Sequence, residues 1–334
     1  MALGENIIKL PFKAIRPVYE KTSWHRSVIE EIPDKRLQWA YAHCREITRQ
    51  FAKTFYLSTR FLPYEKQRSI FAIYALCRYL DNIVDETLED GSSSHFKTRQ
   101  VIKEMEDWKK HLHHTYQGFD TDNPILLAFS DVLRAYHIPI ELPLELIDGV
   151  CMDITKNRYA DFDELYNYSY KVASVVGLMT SEIFGYENPE AKKYAVDLGI
   201  AMQLTNILRD IGEDLGRDRI YIPLDEMEYY GVTERQLHQG IIDDSFIDLM
   251  QFQIHRARGY YKDAANGIPM LNRDSRLPVL LAHHNYSKIL TQIEKNSYDV
   301  FSQRAHLTFG EKIAVVPRAW MLIDEPASVL HELS

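Results

Sequence analysis

Apolar side chains recur at intervals of three and four along nearly the whole chain, the spacing that gathers them on one face of a helix. The strict alternation of a half-buried strand is almost absent. Prolines and glycines break the pattern at short intervals, at Pro63, Gly91, Gly118–Pro124, Pro139–Pro143, Gly185–Pro189, Gly216–Pro223 and Gly267–Pro269. The periodicity predicts helices over 35–62, 64–89, 96–117, 125–136, 143–157, 162–184, 189–215, 246–266, 271–284 and 286–304, hence an all-α fold. No break has the length or composition of a linker, and no fixed-period repeat occurs. The expected organisation is a single helical domain over 36–307, with a weakly patterned N-terminal arm (1–35) and C-terminal tail (308–334).

The 334 residues carry 48 acidic and 39 basic side chains, a net charge of −9, which argues against nucleic acid as the main partner. Three widely separated cysteines fit a reduced compartment. No secretory signal and no apolar run long enough to span a bilayer is present, so a cytoplasmic protein is expected. The chain lacks GxGxxG, GxxxxGK[ST], HExxH, GxSxG and any Glu-x-x-His, removing the dinucleotide, P-loop, zincin, serine-hydrolase and di-iron patterns. Adjacent histidines at 111–114 and 283–284 point in different directions on a helix and have no suitably spaced carboxylate, so they read as structural.

Two acidic segments embedded in apolar helices stand out, AIYALCRYLDNIVDE at 72–86 and GIAMQLTNILRDIGEDLGRDRIYIP at 199–223. In the first, Tyr74, Arg78, Asp81 and Asp85 form one narrow stripe beside an apolar one of Ile73, Cys77, Leu80 and Val84. Carboxylates one turn apart, about 6 Å along the axis, repel unless a cation lies between them, and oxygen-only ligands suit Mg²⁺ completed by water and phosphate. The second segment repeats the device with Asn206, Asp210 and Asp214, with Gln203 one turn earlier and Arg209, Arg217 and Arg219 close by. A lone pair of this kind is usually a solvated helix face. Two sets in apolar surroundings, each flanked by arginine, point instead to a cleft that holds a diphosphate through metal ions.

These segments resemble the paired aspartate motifs of the squalene and phytoene synthase family, the head-to-head trans-isoprenyl diphosphate synthases. FAKTFYLSTRFLP (51–63), YSYKVASVVGLM (168–179) and SRLPVLLAHHNYSKILTQIEKNSYDVFSQRA (275–305) look like further family signatures, and the resemblance extends from about Tyr41 to Leu307. AKTFYLST and RDRIYIP look most like the phytoene-forming branch. The loop after Asp85, ETLEDGSSS, departs from the pattern and adds no further ligand.

The resemblance implies an isoprenoid synthase-type helical bundle with a central cleft. It implies two or three Mg²⁺ ions, with Mn²⁺ as an alternative, on Asp81, Asp85, Asn206, Asp210 and Asp214. It implies that Tyr74, Arg78 and Tyr170 take part in catalysis with the four aspartates, and that Lys53, Thr54, Gln203, Arg209, Tyr286 and Arg304 bind substrate; Phe55 and Tyr221 join the substrate-binding set as aromatic residues suited to line the tail. Phe55, Tyr74, Tyr170 and Tyr221 are the aromatic faces expected to stabilise carbocations, and Cys77 is expected to be core.

The implied reaction joins two allylic diphosphates through a cyclopropyl intermediate. No NADPH is required unless the product is squalene. Small Thr59, about a turn beyond Phe55, favours C20 over C15 substrates; a C30 synthase using farnesyl diphosphate is the alternative. A noncatalytic prenyl-binding or assembly protein is a third reading, disfavoured because all five metal positions keep competent side chains. Lipid-soluble tails and product imply peripheral membrane contact.

Overall fold

The computed structural model describes residues 28–89 and 95–330, and their regular structure is helical, with only two isolated bridges, Arg158 to Ile220 and Tyr186 to Leu271. In chain order the helices are α1 (Lys35–Phe51), α2 (Lys53–Thr59), α3 (Tyr64–Glu89), α4 (His95–Tyr116), α5 (Pro124–Ala135), α6 (Glu141–Thr155), α7 (Phe162–Ser169), α8 (Val175–Phe184), α9 (Ala191–Leu215), α10 (Leu224–Tyr229), α11 (Glu234–His238), α12 (Asp244–Ala265), α13 (Arg273–Lys295), α14 (Phe309–Ala314), α15 (Val316–Leu322) and α16 (Ala327–Leu330).

Local chemistry sets many of these boundaries. Asp34, Asn123, Asp161 and Asp243 cap helix N-termini by accepting backbone N–H bonds, and Thr233 and Thr308 form capping boxes with Gln236 and Glu311. Gly185 ends α8 at φ 71°, a conformation that strains other residues.

The all-α expectation holds, with four differences of detail. The predicted helix 35–62 breaks at Ala52, whose backbone, φ −124° and ψ 57°, leaves the helical region before α2 begins. The predicted helix 162–184 contains one π-helical turn, Tyr170–Ser174. The segments 271–284 and 286–304 are one helix, α13, which runs through Pro278 and stops at Lys295. The tail is not loose: Val315, Ala319, Ile323 and Leu330 bury themselves with Leu277 and Leu280 of α13. The first 27 residues of the predicted arm, and the loop 90–94, lie outside the described residues. Val28, Ile29 and Ile32 are already part of the core.

Two large apolar cores flank a cleft. One joins α1, α3, α4, α5, α6 and α8; the other joins α7, α9, α12 and α13. Ile73, Leu80 and Val84 of the predicted apolar stripe are fully buried in the first, each stabilising by about 1.5–3 kcal/mol. Where α8 and the π turn meet α9, the backbones nearly touch. A Cβ on Gly199 would lie 2.5 Å from Ser174 Cα, and one on Gly177 would lie 2.8 Å from the Ala195 carbonyl oxygen.

Candidate active site

Between the two cores lies a cavity of about 390 Å³. Its helices supply facing stripes. From α3 come Tyr74, Cys77, Arg78 and Asp81; from α6, Leu146, Val150 and Asp153; from α7, the π turn and α8, Tyr168, Val172, Val176, Thr180 and Phe184; from α9, Ala191, Leu198, Met202, Gln203 and Asn206. The cavity grades from polar to apolar. Arg78, Asp81, Asp153, Gln203 and Asn206 gather at one end, while Leu62, Phe184, Ala191, Ile268 and Leu271 line the other. Ala191 and Asn206 are fifteen residues apart on one helix, so the cleft runs roughly 22 Å along α9.

The rim holds five carboxylates close enough to feel one another's charge. Arg78 donates to Asp81 at 2.8 Å, yet burial and the neighbouring Asp85 push the Asp81 carboxyl up to about 6. Asp85 lies 3.3 Å from Arg219 and 3.6 Å from Arg217. Burial raises Asp210 too, but hydrogen bonds from Arg209 (2.8 Å) and Arg304 (2.7 Å) outweigh it and hold the carboxyl below its usual range. Asp214 has no such fork; burial and the charge of Asp210 push it up to about 7. Asp153, its side chain 9% exposed, accepts from Tyr168 at 3.0 Å and Tyr221 at 2.9 Å, and burial raises its carboxyl.

Most of the residues expected from the sequence converge here. Phe55, Thr59, Tyr74, Arg78, Asp81, Gln203, Asn206 and Tyr286 line the cavity, with Phe55 and Tyr74 rings 5.9 Å apart. Asp85, Arg209, Asp210, Asp214 and Arg304 stand at its acidic rim; Tyr286 links them to the cavity, since its hydroxyl feels Arg209, Asp210 and Arg304. Cys77 packs against the first core, as expected, and also lines the cavity, with burial holding its thiol up at about 12.

Four candidates sit elsewhere. Tyr170 does not line the cavity and lies near Glu145 and Tyr166. Tyr168 lines it instead, because two residues rotate a helix by about 200°. Tyr221 stands behind the wall, stacked on Tyr168 at 5.2 Å and Tyr159 at 5.6 Å. Lys53 is exposed and Thr54 half-buried at the start of α2, outside the cavity lining.

Asp153 and Tyr168 are the residues that sequence reading missed. The signal existed: Leu146, Val150 and Asp153 stand at i, i+4 and i+7, and Tyr168, Val172, Val176, Thr180 and Phe184 follow one another at i+4.

The donor set suits a hard divalent cation. All candidate ligands are oxygens, the Asp81 and Asp214 carboxyls are raised by burial and a neighbouring carboxylate, and arginine N–H groups surround them. Among the described residues no three His, Cys, Asp or Glu side chains form a ready cage.

Comparison with known proteins agrees with this geometry. The squalene/phytoene synthase family model matches residues 48–311. A 15-cis-phytoene synthase from Synechococcus elongatus is 39% identical over 85% of this chain and 94% of its own, and one from Synechocystis is 40% identical over 86% and 87%. The crystal structure of a dehydrosqualene synthase superposes with a TM-score of 0.77 at 27% identity, covering 86% of this chain and 97% of that one. A squalene synthase from Alicyclobacillus acidocaldarius shares the fold, with a TM-score of 0.72 at 22% identity over 81% and 99% of the two chains. This chain therefore belongs to the squalene/phytoene synthase family of prenyl-transferring enzymes.

Proposed function

We propose that this enzyme is a 15-cis-phytoene synthase of carotenoid biosynthesis, condensing two geranylgeranyl diphosphates head to head through a cyclopropyl diphosphate. The observation that carries the reading is the pairing of about 40% identity to cyanobacterial phytoene synthases with a cleft long enough for a C20 tail. A sixteen-carbon main chain reaches roughly 18 Å and a twelve-carbon one about 13 Å, at the reach per bond of an extended covalent chain. A depth of roughly 22 Å along α9 accommodates the longer tail with its head at the rim. Thr59, buried and facing the cavity, leaves room that a bulkier residue would take.

Asp81, Asp85, Asn206, Asp210 and Asp214 would hold Mg²⁺, or Mn²⁺, in two or three ions. When bound, these ions neutralise the diphosphate and stabilise its departure. Arg78, Arg209, Arg217, Arg219 and Arg304 provide charge-assisted donors to the same group. Gln203 orients it from the cavity wall. Phe55, Tyr74, Tyr168 and Tyr286 face the tail with aromatic surface that stabilises positive charge without adding to it. Asp153 holds the Tyr168 hydroxyl in place. A final proton loss ends the reaction, so NADPH is not needed.

Among the described residues no helix is long and apolar enough to cross a membrane. Peripheral contact of a cytoplasmic enzyme with lipid fits the apolar product, and Phe309, Ile313, Trp320 and Met321 expose apolar surface on α14 and α15.

The test supplies purified protein and Mg²⁺ with labelled geranylgeranyl or farnesyl diphosphate, with and without NADPH. A C40 hydrocarbon from the C20 substrate is expected. A C30 product from farnesyl diphosphate, with the C20 substrate ignored, overturns the phytoene reading in favour of the C30 synthase. Binding without any product favours the noncatalytic reading.

A further inference from the structure

The loop that follows α9 carries Arg217 and Arg219 to Asp85 on the opposite side of the cleft. Between them Asp218 adopts a left-handed backbone, φ 55°, which is unfavourable for any residue with a Cβ. That turn directs the arginines on either side of it, and something must hold it. Both arginine N–H groups already bond the Asp214 carbonyl, at 3.0 and 2.9 Å, so the loop folds tightly back on the end of α9.

The brace comes from the segment just after α6. Arg158 donates to the Asp218 carbonyl oxygen at 2.6 Å and to its carboxylate at 2.9 Å, while Asn157 donates to the other carboxylate oxygen at 3.1 Å. Arg158 is itself fixed by a two-pronged pair with Glu234 of α11, both bonds 3.0 Å. The Ile220 N–H bonds the Asn157 carbonyl at 3.0 Å, and Leu224 bonds that of Tyr159 at 2.9 Å, so the strand-like stretch 157–160 is stitched to 220–225. Asp218 is 71% exposed, so its ion pair adds little to stability. Its geometric effect is larger. Arg219, 6% exposed, meets Asp85 and Asp153 through Nη1, and its buried Nη2 has no hydrogen-bond partner within the protein, leaving an unused donor on the guanidinium that reaches the acidic rim.

We propose that Arg158 is a positioning residue of the diphosphate site: by clamping Asp218 in its left-handed turn, it sets Arg217 and Arg219 for binding the diphosphate of substrate and product. The proposal rests on the reading of the rim as a diphosphate site. Neither Arg158 nor Asp218 touches the cavity.

The test measures binding of inorganic pyrophosphate with Mg²⁺ by calorimetry, without prenyl substrate, beside KM, kcat and melting temperature. R158Q and D218A are expected to weaken pyrophosphate binding and raise KM about tenfold, the effect of misplacing one charge-assisted hydrogen bond. Melting temperature and kcat change little. R158K, which keeps a charged donor, restores part of the loss. D218G falls closer to wild type than D218A, because glycine adopts the left-handed turn at no steric cost. Pyrophosphate bound as tightly by R158Q and D218A as by wild type overturns the clamp alone. No pyrophosphate binding by the wild-type protein overturns the diphosphate reading and the clamp with it.

Discussion

The acidic segments of α3 and α9 look like copies of one device in the sequence, yet their carboxylates are compensated differently. On α9, Asp210 is neutralised by Arg209 on its own helix and by Arg304 from beyond α13, while burial and the charge of Asp210 raise Asp214 one turn on in spite of Arg219 and Arg217 nearby. On α3 the order reverses: Asp81 is the raised carboxyl, and Asp85 is met by Arg217 and Arg219, arginines borrowed across the cleft from the end of α9. Each helix therefore presents one carboxylate met by two arginines and one raised by burial and a neighbouring carboxylate, Asp81 even with Arg78 bonded to it. The raised pair is where a divalent cation would gain most, and the arginine pair from the end of α9 ties the two helices together electrostatically.

The comparison can be broken most sharply at the raised acids. D81N and D214N should each lower turnover by about a thousandfold, as the loss of a major electrostatic stabiliser does, with melting unchanged or slightly raised. Near wild-type turnover in either would remove these acids from the cation site. Next comes the borrowed arginine. R219Q leaves Asp85 and Asp153 buried with like charge, at a cost of roughly 3–5 kcal/mol in urea unfolding; adding D153N should recover part of it. A cost below that of an ordinary surface change would show that Arg219 is not what ties the helices.

A smaller effect is expected with pH. Asp214 titrates near 7 when folded, above its ordinary 3.8. The folded protein therefore binds more protons than the unfolded chain between these values, and stability declines as pH rises through that window. Mg²⁺ should raise the melting temperature more at pH about 8 than at pH about 5.5, and D214N should flatten the free protein's pH profile. An equal Mg²⁺ shift at both pH values would separate the cation from Asp214. The smallest effect belongs to R304A: its side chain is 58% exposed, so the stability change should stay within about 1 kcal/mol, while the Asp210 carboxyl rises. A larger loss in urea unfolding would make Arg304 a structural support rather than a rim group.

Much of this was legible from spacing alone. The stripe Tyr74, Arg78, Asp81 identifies a wall of the cleft because helix geometry converts sequence intervals into a direction. The same rule applied to 141–155 finds Asp153. It cannot choose between Tyr168 and Tyr170, since both neighbour apolar residues and only the packing of α7 against α9 decides which faces inward. The π turn at Tyr170–Ser174 leaves no mark in composition, yet Val172 and Ala173 on it line the cavity.

By itself the sequence determined the helices, their apolar faces, the chemical type of the site and the family, because each depends on residues near one another along the chain or on motifs kept intact. Tertiary structure decided which carboxylate each arginine meets. Arg304 reaches Asp210 across 94 positions and Arg219 reaches Asp85 across 134. Charge compensation and burial, which set the raised carboxyls of Asp81 and Asp214, are properties of distances in space that no interval along the chain encodes.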